Sequence, residues 1–247
     1  MSSADGDPAD AGPLPSITHL TDPDTFQGDQ LTLSGPAYKH LFRSRRLPVG
    51  ARLRIVDGLG AARVGEVVRI GKKDAELELG EALPSEHQRR RLHLKVGALR
   101  PERASWLVEK TTELGVSSIT FVNTERTPRS YGDGRLDRLT RVAGAAVEQC
   151  GRARVPDLTG PFPWQDAVAN LNPDTTFVMD GEGGSPWESR ARIESLDLTL
   201  WIGPEGGFSE SERRFFQDQG VAFLRLGEHI LRVETAAVVA TAALMLL

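Results

Sequence analysis

Apolar and polar positions follow two different patterns along the chain, and the change falls near residue 92. Before it, short apolar runs are separated by turn residues such as Asp57-Gly58 and Gly71. This spacing predicts short strands at residues 30–33, 52–56, 63–70 and 75–79, with one helix at residues 37–45. Together these elements predict a small β-barrel-like domain.

After residue 92, buried strands alternate with amphipathic helices. The apolar runs predict strands at residues 92–98, 116–122, 175–179, 198–202 and 221–226. Helices are predicted at residues 101–114, 135–150 and 236–247, and Ser209 with Glu212 forms an S-x-x-E capping box that begins another. Alternating strands and helices indicate an α/β fold built on a parallel sheet.

The same patterns predict the domain organisation. Residues 1–15 are rich in Ser, Ala, Asp, Gly and Pro and are expected to form a disordered tail. The β-rich domain then covers residues 16–83, a polar linker covers residues 84–91, and the α/β domain covers residues 92–247.

The last three predicted strands all run into glycine-bearing loops. These loops contain Asp180-Gly181, the segment 203–207 and Gly227. In parallel sheets, ligands bind at the carboxyl ends of strands, and glycines let a ligand lie against bare backbone. The convergence favours a small-molecule site, although each loop taken alone could be an ordinary strand-to-helix connection.

The loop before the last helix carries Arg232 and Glu234 between two apolar elements. A charge in such a place needs a partner. That partner is either a ligand or another side chain in a salt bridge that holds the loop.

The motifs G-x-x-x-x-G-K-[ST], H-E-x-x-H and G-x-S-x-G do not occur. Their absence argues against P-loop, zinc-hydrolase and α/β-hydrolase chemistry.

The composition limits the class of protein and the compartment in which it is expected. Cys150 is the single cysteine, which excludes a disulfide framework and a cysteine-rich zinc site and fits a reducing cytoplasm. No signal peptide is visible, and the longest apolar run, residues 236–247, is too short to span a bilayer. We therefore expect a cytoplasmic protein with no membrane and no metal partner.

Charge is distributed unevenly along the chain. The net charge is −4, yet residues 39–54 hold six Lys or Arg and no acidic residue. Residues 84–154 carry a net charge of +6 and residues 155–220 a net charge of −8. Basic clusters attract phosphates, so Arg43, Arg45 and Arg46 are candidates for nucleic-acid contact; the alternative is a solvated surface.

Two consecutive C-terminal motifs, GPEGGFSESE and LGEHILRVETAA, resemble the signature of the SPOUT methyltransferases. More narrowly, they resemble the bacterial 16S rRNA (uracil-N3)-methyltransferase family. The segments LRPERASWLVEKTTELGVSSITFVNTERT and AAVEQCGRARVPDL resemble two upstream blocks of that family, and residues 40–58 its N-terminal domain. The resemblance spans about residues 17–247. One departure is Ser44-Arg45-Arg46-Leu47, where the family often has an aliphatic residue before Arg-Leu.

The resemblance implies a trefoil-knotted SPOUT domain, a PUA-like N-terminal domain and a homodimer. It also implies methylation of N3 of a specific uridine in 16S rRNA by S-adenosylmethionine, with ribosomal RNA or the small ribosomal subunit as partner. Two alternatives stay open. One is a SPOUT enzyme with another RNA target, a ribose 2′-hydroxyl or a tRNA base; the other is a non-catalytic RNA-binding module.

The candidate site residues follow from the loops and the resemblance. The catalytic candidates are Arg232, Glu205 and Glu234. The candidates for holding S-adenosylmethionine are Met179, Gly181, Ile202, Gly203, Pro204, Glu205, Gly206, Gly207, Leu226, Gly227, Ile230, Leu231, Arg232 and Thr235. The candidates for RNA contact are Arg43, Arg45, Arg46, Arg100, Arg126, Gln149 and Arg152. For Gln149 and Arg152, a structural role at the end of a helix is an equal alternative.

Overall fold

A computed structural model describes residues 15–84, 90–127, 134–185 and 193–246. The chain divides into two compact units, Met1–Glu86 and His87–Leu247. Most of the predicted tail, residues 1–14, and the middle of the predicted linker, residues 85–89, lie outside the described residues.

The first unit is built on a mixed five-stranded sheet. Its strands are β1 (Thr18–Leu20), β2 (Gln30–Ser34), β3 (Arg52–Val56), β4 (Ala62–Ile70) and β5 (Asp74–Leu83), in the order β1-β3-β4-β5-β2. Strand β1 pairs with β3 in parallel and the remaining pairs are antiparallel. A short helix α1 (Pro23–Phe26) precedes β2. A core of buried side chains that includes Leu31, Leu53 and Leu77 holds the unit together.

The helix predicted at residues 37–45 is present, but most of it is π-helical. A four-residue helix α2 (Gly35–Tyr38) continues into a π-helical turn at Lys39–Ser44. The turn buries Leu41 and Phe42 and leaves Arg43 exposed. Apolar periodicity indicates which side of a helix is buried and does not distinguish α-helical from π-helical hydrogen bonding, so the sequence did not predict the helix type.

The second unit is a parallel six-stranded sheet with helices on both faces. Its strands are β6 (Arg91–Gly97), β7 (Ser118–Asn123), β8 (Asp157–Pro163), β9 (Thr176–Gly184), β10 (Asp197–Ile202) and β11 (Ala222–Leu224). Their order is β11-β9-β10-β6-β7-β8, and every pair is parallel. The helices are α3 (Pro101–Glu113), α4 (Arg135–Cys150), α5 (Trp164–Val168), α6 (Glu210–Asp218) and α7 (Val233–Leu246).

Successive side chains of the central strands pack into two separate cores, because they point to opposite faces of the sheet. Leu200 and Ile202 of β10 join the larger core, to which α3, α4 and α7 contribute. Trp201, between them in sequence, joins an aromatic core with Trp164 and Phe216 from α5 and α6. This layering confirms the predicted α/β fold.

Local signals place the helix ends where the sequence predicts them. Pro101 stands in the first turn of α3, and Gly151 closes α4 with a left-handed φ of 79°. Ser209 and Glu212 form both hydrogen bonds of the predicted capping box at the start of α6. Two elements, β8 and α5, carry no such signal and are not predicted from the sequence. Strand β8 contains Gly160, Pro161 and Pro163, which interrupt a strand pattern, and α5 is only five residues long.

Candidate active site

A cavity of about 650 Å³ opens at the carboxyl ends of β9 and β10. Its walls come from the end of β9, the loop between β10 and α6, and the loop before α7. The residues that line it and that the sequence predicts are Met179, Gly181, Ile202, Gly203, Pro204, Glu205, Gly207, Leu226, Ile230, Leu231 and Arg232. Residues distant in sequence therefore meet in one place, as the convergence of glycine loops predicts.

The loop between β10 and α6, residues 203–208, forms a tight turn against the sheet. The Gly207 N–H donates to the Pro204 carbonyl at 2.8 Å, and Gly207 has φ of 70°. A Cβ on Gly97, at the end of β6, would lie 2.5 Å from the Pro204 nitrogen. Only glycine at position 97 lets this glycine loop pack so closely on the strand, which fixes one wall of the cavity.

Three predicted cofactor residues, Gly206, Gly227 and Thr235, do not line this cavity. Gly206 faces another way: a Cβ there would lie 3.3 Å from Cβ of Arg126. Its neighbours Glu205 and Gly207 do line the cavity, so glycine content alone does not identify the ligand-facing positions. We therefore do not assign Gly206 to the cavity wall.

The two predicted catalytic carboxylates share one cation, Arg103 of α3. Arg103 Nη1 donates to Glu205 Oε1 at 2.7 Å, and its Nε lies 3.8 Å from Glu234 Oε1. Arg100 is more distant and more exposed, with its Nε 4.0 Å from Glu205 Oε2. The sequence left open whether Arg232 forms a salt bridge that holds its loop. In the structure, Arg103 is the cation that pairs with these carboxylates.

Arg232 lines the cavity and is exposed. In the part of the chain that the structure describes, its guanidinium makes no ion pair and no hydrogen bond. The backbone carbonyl of Arg232 accepts a hydrogen bond from the Ala236 N–H at 2.8 Å. Its positive charge is therefore available to a ligand.

A second charged group lines the cavity on the side of β9. Arg213 of α6 donates to Glu182 at 2.6 Å and lies 3.4 Å from Asp180 Oδ2. The Glu182 carboxylate raises the pKa of Arg213 above its ordinary value.

Sequence reasoning missed the lining residues Arg103, Asp180, Glu182, Phe208, Arg213, Arg225, His229, Val233 and Ala236. Asp180 was detectable because it directly precedes Gly181; Arg103 and Arg213 lie within helices and carry no local signal.

Comparison with known proteins identifies the family. The model of the RNA methyltransferase domain matches residues 86–245, and that of the RNA methyltransferase PUA domain matches residues 33–80. The chain belongs to this RNA methyltransferase family. The parallel strand order is consistent with the trefoil knot, which stays a prediction.

Relatives of this family resemble the chain over most of its length. Ribosomal RNA small subunit methyltransferase E from Helicobacter pylori is 28% identical, with 84% of this chain and 91% of the relative covered. A proposed methyltransferase from Legionella pneumophila, solved in complex with the cofactor SAM, is 27% identical with a TM-score of 0.82, covering 93% and 97%. Ribosomal RNA small subunit methyltransferase E from Neisseria gonorrhoeae, bound to S-adenosylmethionine, shares the fold with a TM-score of 0.83 at 24% identity, covering 93% and 97%.

The residues predicted to contact RNA occupy different settings. Arg43, Arg45 and Arg46 are exposed in the first unit, where the Arg43 guanidinium donates to the Lys72 carbonyl at 2.9 Å. Arg100 and Gln149 are exposed in the second unit. These positions leave all five side chains accessible to a nucleic acid.

Two predicted RNA contacts make hydrogen bonds within the protein; Arg152 is buried, whereas Arg126 is exposed and its contact with RNA stays a prediction. Arg152 is buried, and its Nη1 donates to the Thr112 carbonyl at 2.7 Å and the Val116 carbonyl at 3.2 Å. It binds one carbonyl in the last turn of α3 and one in the loop that follows, so a structural role fits Arg152 and RNA contact does not. Arg126 donates to the Gly206 carbonyl at 3.0 Å and the Phe208 carbonyl at 3.3 Å, which ties the end of β7 to the glycine loop.

Within residues 15–84, 90–127, 134–185 and 193–246, no group of three or more His, Cys, Asp or Glu side chains could hold a metal ion. Across the same ranges, no helix combines the length and apolarity needed to cross a membrane.

Proposed function

We propose that the protein transfers a methyl group from S-adenosylmethionine to N3 of a specific uridine in 16S ribosomal RNA. The observation that carries this proposal is the cavity at the carboxyl ends of the parallel strands, in a chain of the RNA methyltransferase family. Relatives named as ribosomal RNA small subunit methyltransferases favour a target in small-subunit rRNA over one in tRNA.

The cavity fits S-adenosylmethionine in size and in chemistry. Its volume of about 650 Å³ lies within the usual range of small-molecule sites. A Cβ built on Gly181 or Gly207 would meet no atom within 4 Å, so bare backbone borders open space there. Apolar walls from Met179, Ile202 and Leu231 suit an adenine ring, and the nearby carboxylates suit ribose hydroxyls and an ammonium group.

S-adenosylmethionine, when bound, supplies a methyl group on a positively charged sulfur that is already activated for transfer. The chain must then align the acceptor and help uracil N3 lose its proton. Glu205 and Glu234 are the candidates for taking that proton. Arg232, which has no protein partner in the described residues, is placed to stabilise the negative charge that develops on the uracil ring.

The two units divide the work in this proposal. The PUA-like domain, residues 16–83, docks rRNA through Arg43, Arg45 and Arg46, and the domain at residues 92–247 carries out methyl transfer. Because bacterial ribosomes are assembled in the cytoplasm, we place the reaction there.

The proposal includes a homodimer, for which α7 provides the physical reason. This helix is apolar on nearly every side, and Val239 and Leu246 remain 41% and 87% exposed. A second copy of the chain would cover these side chains. Sedimentation of the purified protein tests this part, and a monomer at micromolar concentration would contradict it.

Mass mapping of ribosomal RNA from a host strain without the gene tests the proposed reaction. One N3-methyluridine of 16S rRNA should be lost, and a plasmid copy of the wild-type gene should restore it. An unchanged 16S rRNA with a modification missing from tRNA, or from a ribose, would support the alternative target instead. No change in any RNA would favour the non-catalytic binding module.

A further inference from the structure

The cation between Glu205 and Glu234 has no function in the proposal above, yet it joins three separate elements. Arg103 belongs to the first turn of α3, Glu205 to the glycine loop after β10, and Glu234 to the first turn of α7. The contacts are 2.7 Å to Glu205 and 3.8 Å to Glu234. One guanidinium therefore contacts both candidate proton acceptors.

The place of Arg103 within α3 is unfavourable for the helix itself. Backbone N–H groups and the helix dipole make the first turn of a helix positive, so this position disfavours a cation. Glu102, its neighbour in the same turn, is the type of residue that this position prefers. The stability of α3 therefore does not explain an arginine at position 103. The contacts of Arg103 with Glu205 and Glu234 explain it.

Burial makes those contacts more significant than surface ion pairs. The side chains of Arg103, Glu205 and Glu234 are 31%, 27% and 12% exposed. Glu234 Oε2 is buried and has no hydrogen-bond partner among the described residues, while Oε1 is the oxygen near Arg103. A buried acceptor of this kind is costly unless a ligand or a water supplies a donor, so the orientation of this carboxylate matters for what it can bind.

We propose that Arg103 is a positioning residue for methyl transfer: it holds Glu205 and Glu234 in the arrangement in which a carboxylate can receive the N3 proton. This inference rests on the proposed function. It assigns to Arg103 an effect on the chemical step, whereas the cofactor pocket is formed mainly by β9, the glycine loop and the loop before α7.

The first test compares Arg103→Met and Arg103→Lys with Arg214→Met, a control at an exposed arginine whose pairing with Glu210 spans 3.8 Å. Arg103→Met should lower the single-turnover methylation rate by about 10²-fold, the loss typical of a misplaced catalytic group. Arg103 also lines the cavity, so the dissociation constant of S-adenosylmethionine can rise, but by much less than the rate falls. Arg103→Lys keeps the charge without the planar fork and should restore part of the rate.

A double-mutant cycle identifies the carboxylate through which Arg103 acts. If it acts through Glu205, the double variant Arg103→Met/Glu205→Gln should be no slower than the worse single variant. Losses that multiply in this cycle would direct the effect to Glu234, and losses that multiply also in the matching cycle with Glu234→Gln would overturn the proposal. So would a normal single-turnover rate in Arg103→Met, or a loss explained entirely by weaker cofactor binding and a lower melting temperature.

Amide hydrogen exchange of the cofactor-free protein separates this inference from the proposed function. Arg103→Met should exchange faster than Arg214→Met in residues 203–208 and in the first turn of α7, with the rest of the sheet unchanged. Equal exchange in the two variants would overturn the positioning role. If the wild-type protein methylates no RNA, the proposed function fails, and the exchange comparison still decides whether Arg103 holds these segments.

Discussion

At the scale of single residues, the pairing of charges decides which groups can serve a ligand. Glu205 and Glu234 are near Arg103, Asp180 and Glu182 are near Arg213, and Arg232 has no ion-pair partner in the described residues. An unpaired cation beside a pocket can respond to charge that appears only during the reaction.

Replacing Arg232 by Ala should therefore slow the reaction more than it weakens cofactor binding. Loss of one preorganised charge partner typically costs on the order of 10²-fold or more in rate. Single-turnover methylation at saturating cofactor and RNA measures this effect, with Arg214→Ala as the control at an exposed arginine. A near-normal single-turnover rate would remove Arg232 from the catalytic candidates.

Replacing Gly181 by Val should block S-adenosylmethionine without unfolding the protein. Gly181 lines the cavity, its φ is not positive, and a Cβ there meets nothing within 4 Å. The added methyl groups would occupy ligand space, and calorimetry should show at least about tenfold weaker binding, or 1.4 kcal/mol. Gly80→Val in the first unit is the matched control. Unchanged affinity in Gly181→Val would place the cofactor elsewhere.

At the scale of elements, the start of α6 is the junction on which the glycine loop depends. Glu212 is buried, and its two carboxylate oxygens accept from the Glu125 N–H at 2.9 Å and the Ser209 N–H at 2.8 Å. Arg126 adds two bonds from the same segment to the glycine loop. The end of β7, the glycine loop and α6 are thus held as one piece.

Glu212→Ala should destabilise the protein through this junction. Two N–H groups would lose their acceptor, at about 1–3 kcal/mol for each one that stays buried. Denaturant unfolding measures the loss, and Glu212→Gln, which keeps one oxygen, should lose less. Glu210→Ala, at an 84% exposed position of the same turn, should cost only about 0.3–1 kcal/mol. Equal losses at positions 210 and 212 would contradict this role.

At the scale of the whole molecule, a net negative chain is proposed to bind RNA. The net charge is −4, but the acidic excess lies in residues 155–220, and residues 39–54 hold six Lys or Arg and no acidic residue. The π-helical turn presents Arg43 from this stretch, and Arg46 follows it with an uncommon left-handed φ of 55°. Non-glycine residues rarely adopt that conformation, so the backbone at Arg46 is held in a specific turn.

Changing Arg43, Arg45 and Arg46 together to Ala should weaken RNA binding and reduce its salt dependence. Each lost phosphate contact should lower the slope of log affinity against log salt by about 0.7–0.9. A control that removes three exposed arginines of the second unit, Arg138, Arg141 and Arg214, corrects for the change in net charge. The affinity for S-adenosylmethionine should not change. The same salt slope as in the wild type would mean that the cluster is only a solvated surface.

The sequence by itself determined the features that depend on neighbours along the chain. Helix ends marked by Pro101, Gly151 and the Ser209–Glu212 box appear where they were predicted, because capping depends on residues within one turn. The parallel sheet and the gathering of glycine loops at one edge followed from the alternation of elements, since all strands of such a sheet end at the same side.

Only the tertiary structure decided which side chains meet. Arg103 and Glu205 are 102 residues apart, and Arg152 reaches Thr112 across 40 residues, so no local pattern could pair them. Whether a glycine borders the cavity, as Gly181 does, or lies against Arg126, as Gly206 does, depends on how the loop turns in space. A partner and the degree of burial are properties of the packed molecule, and they separate an arginine that is free to act on a substrate from one that holds the fold.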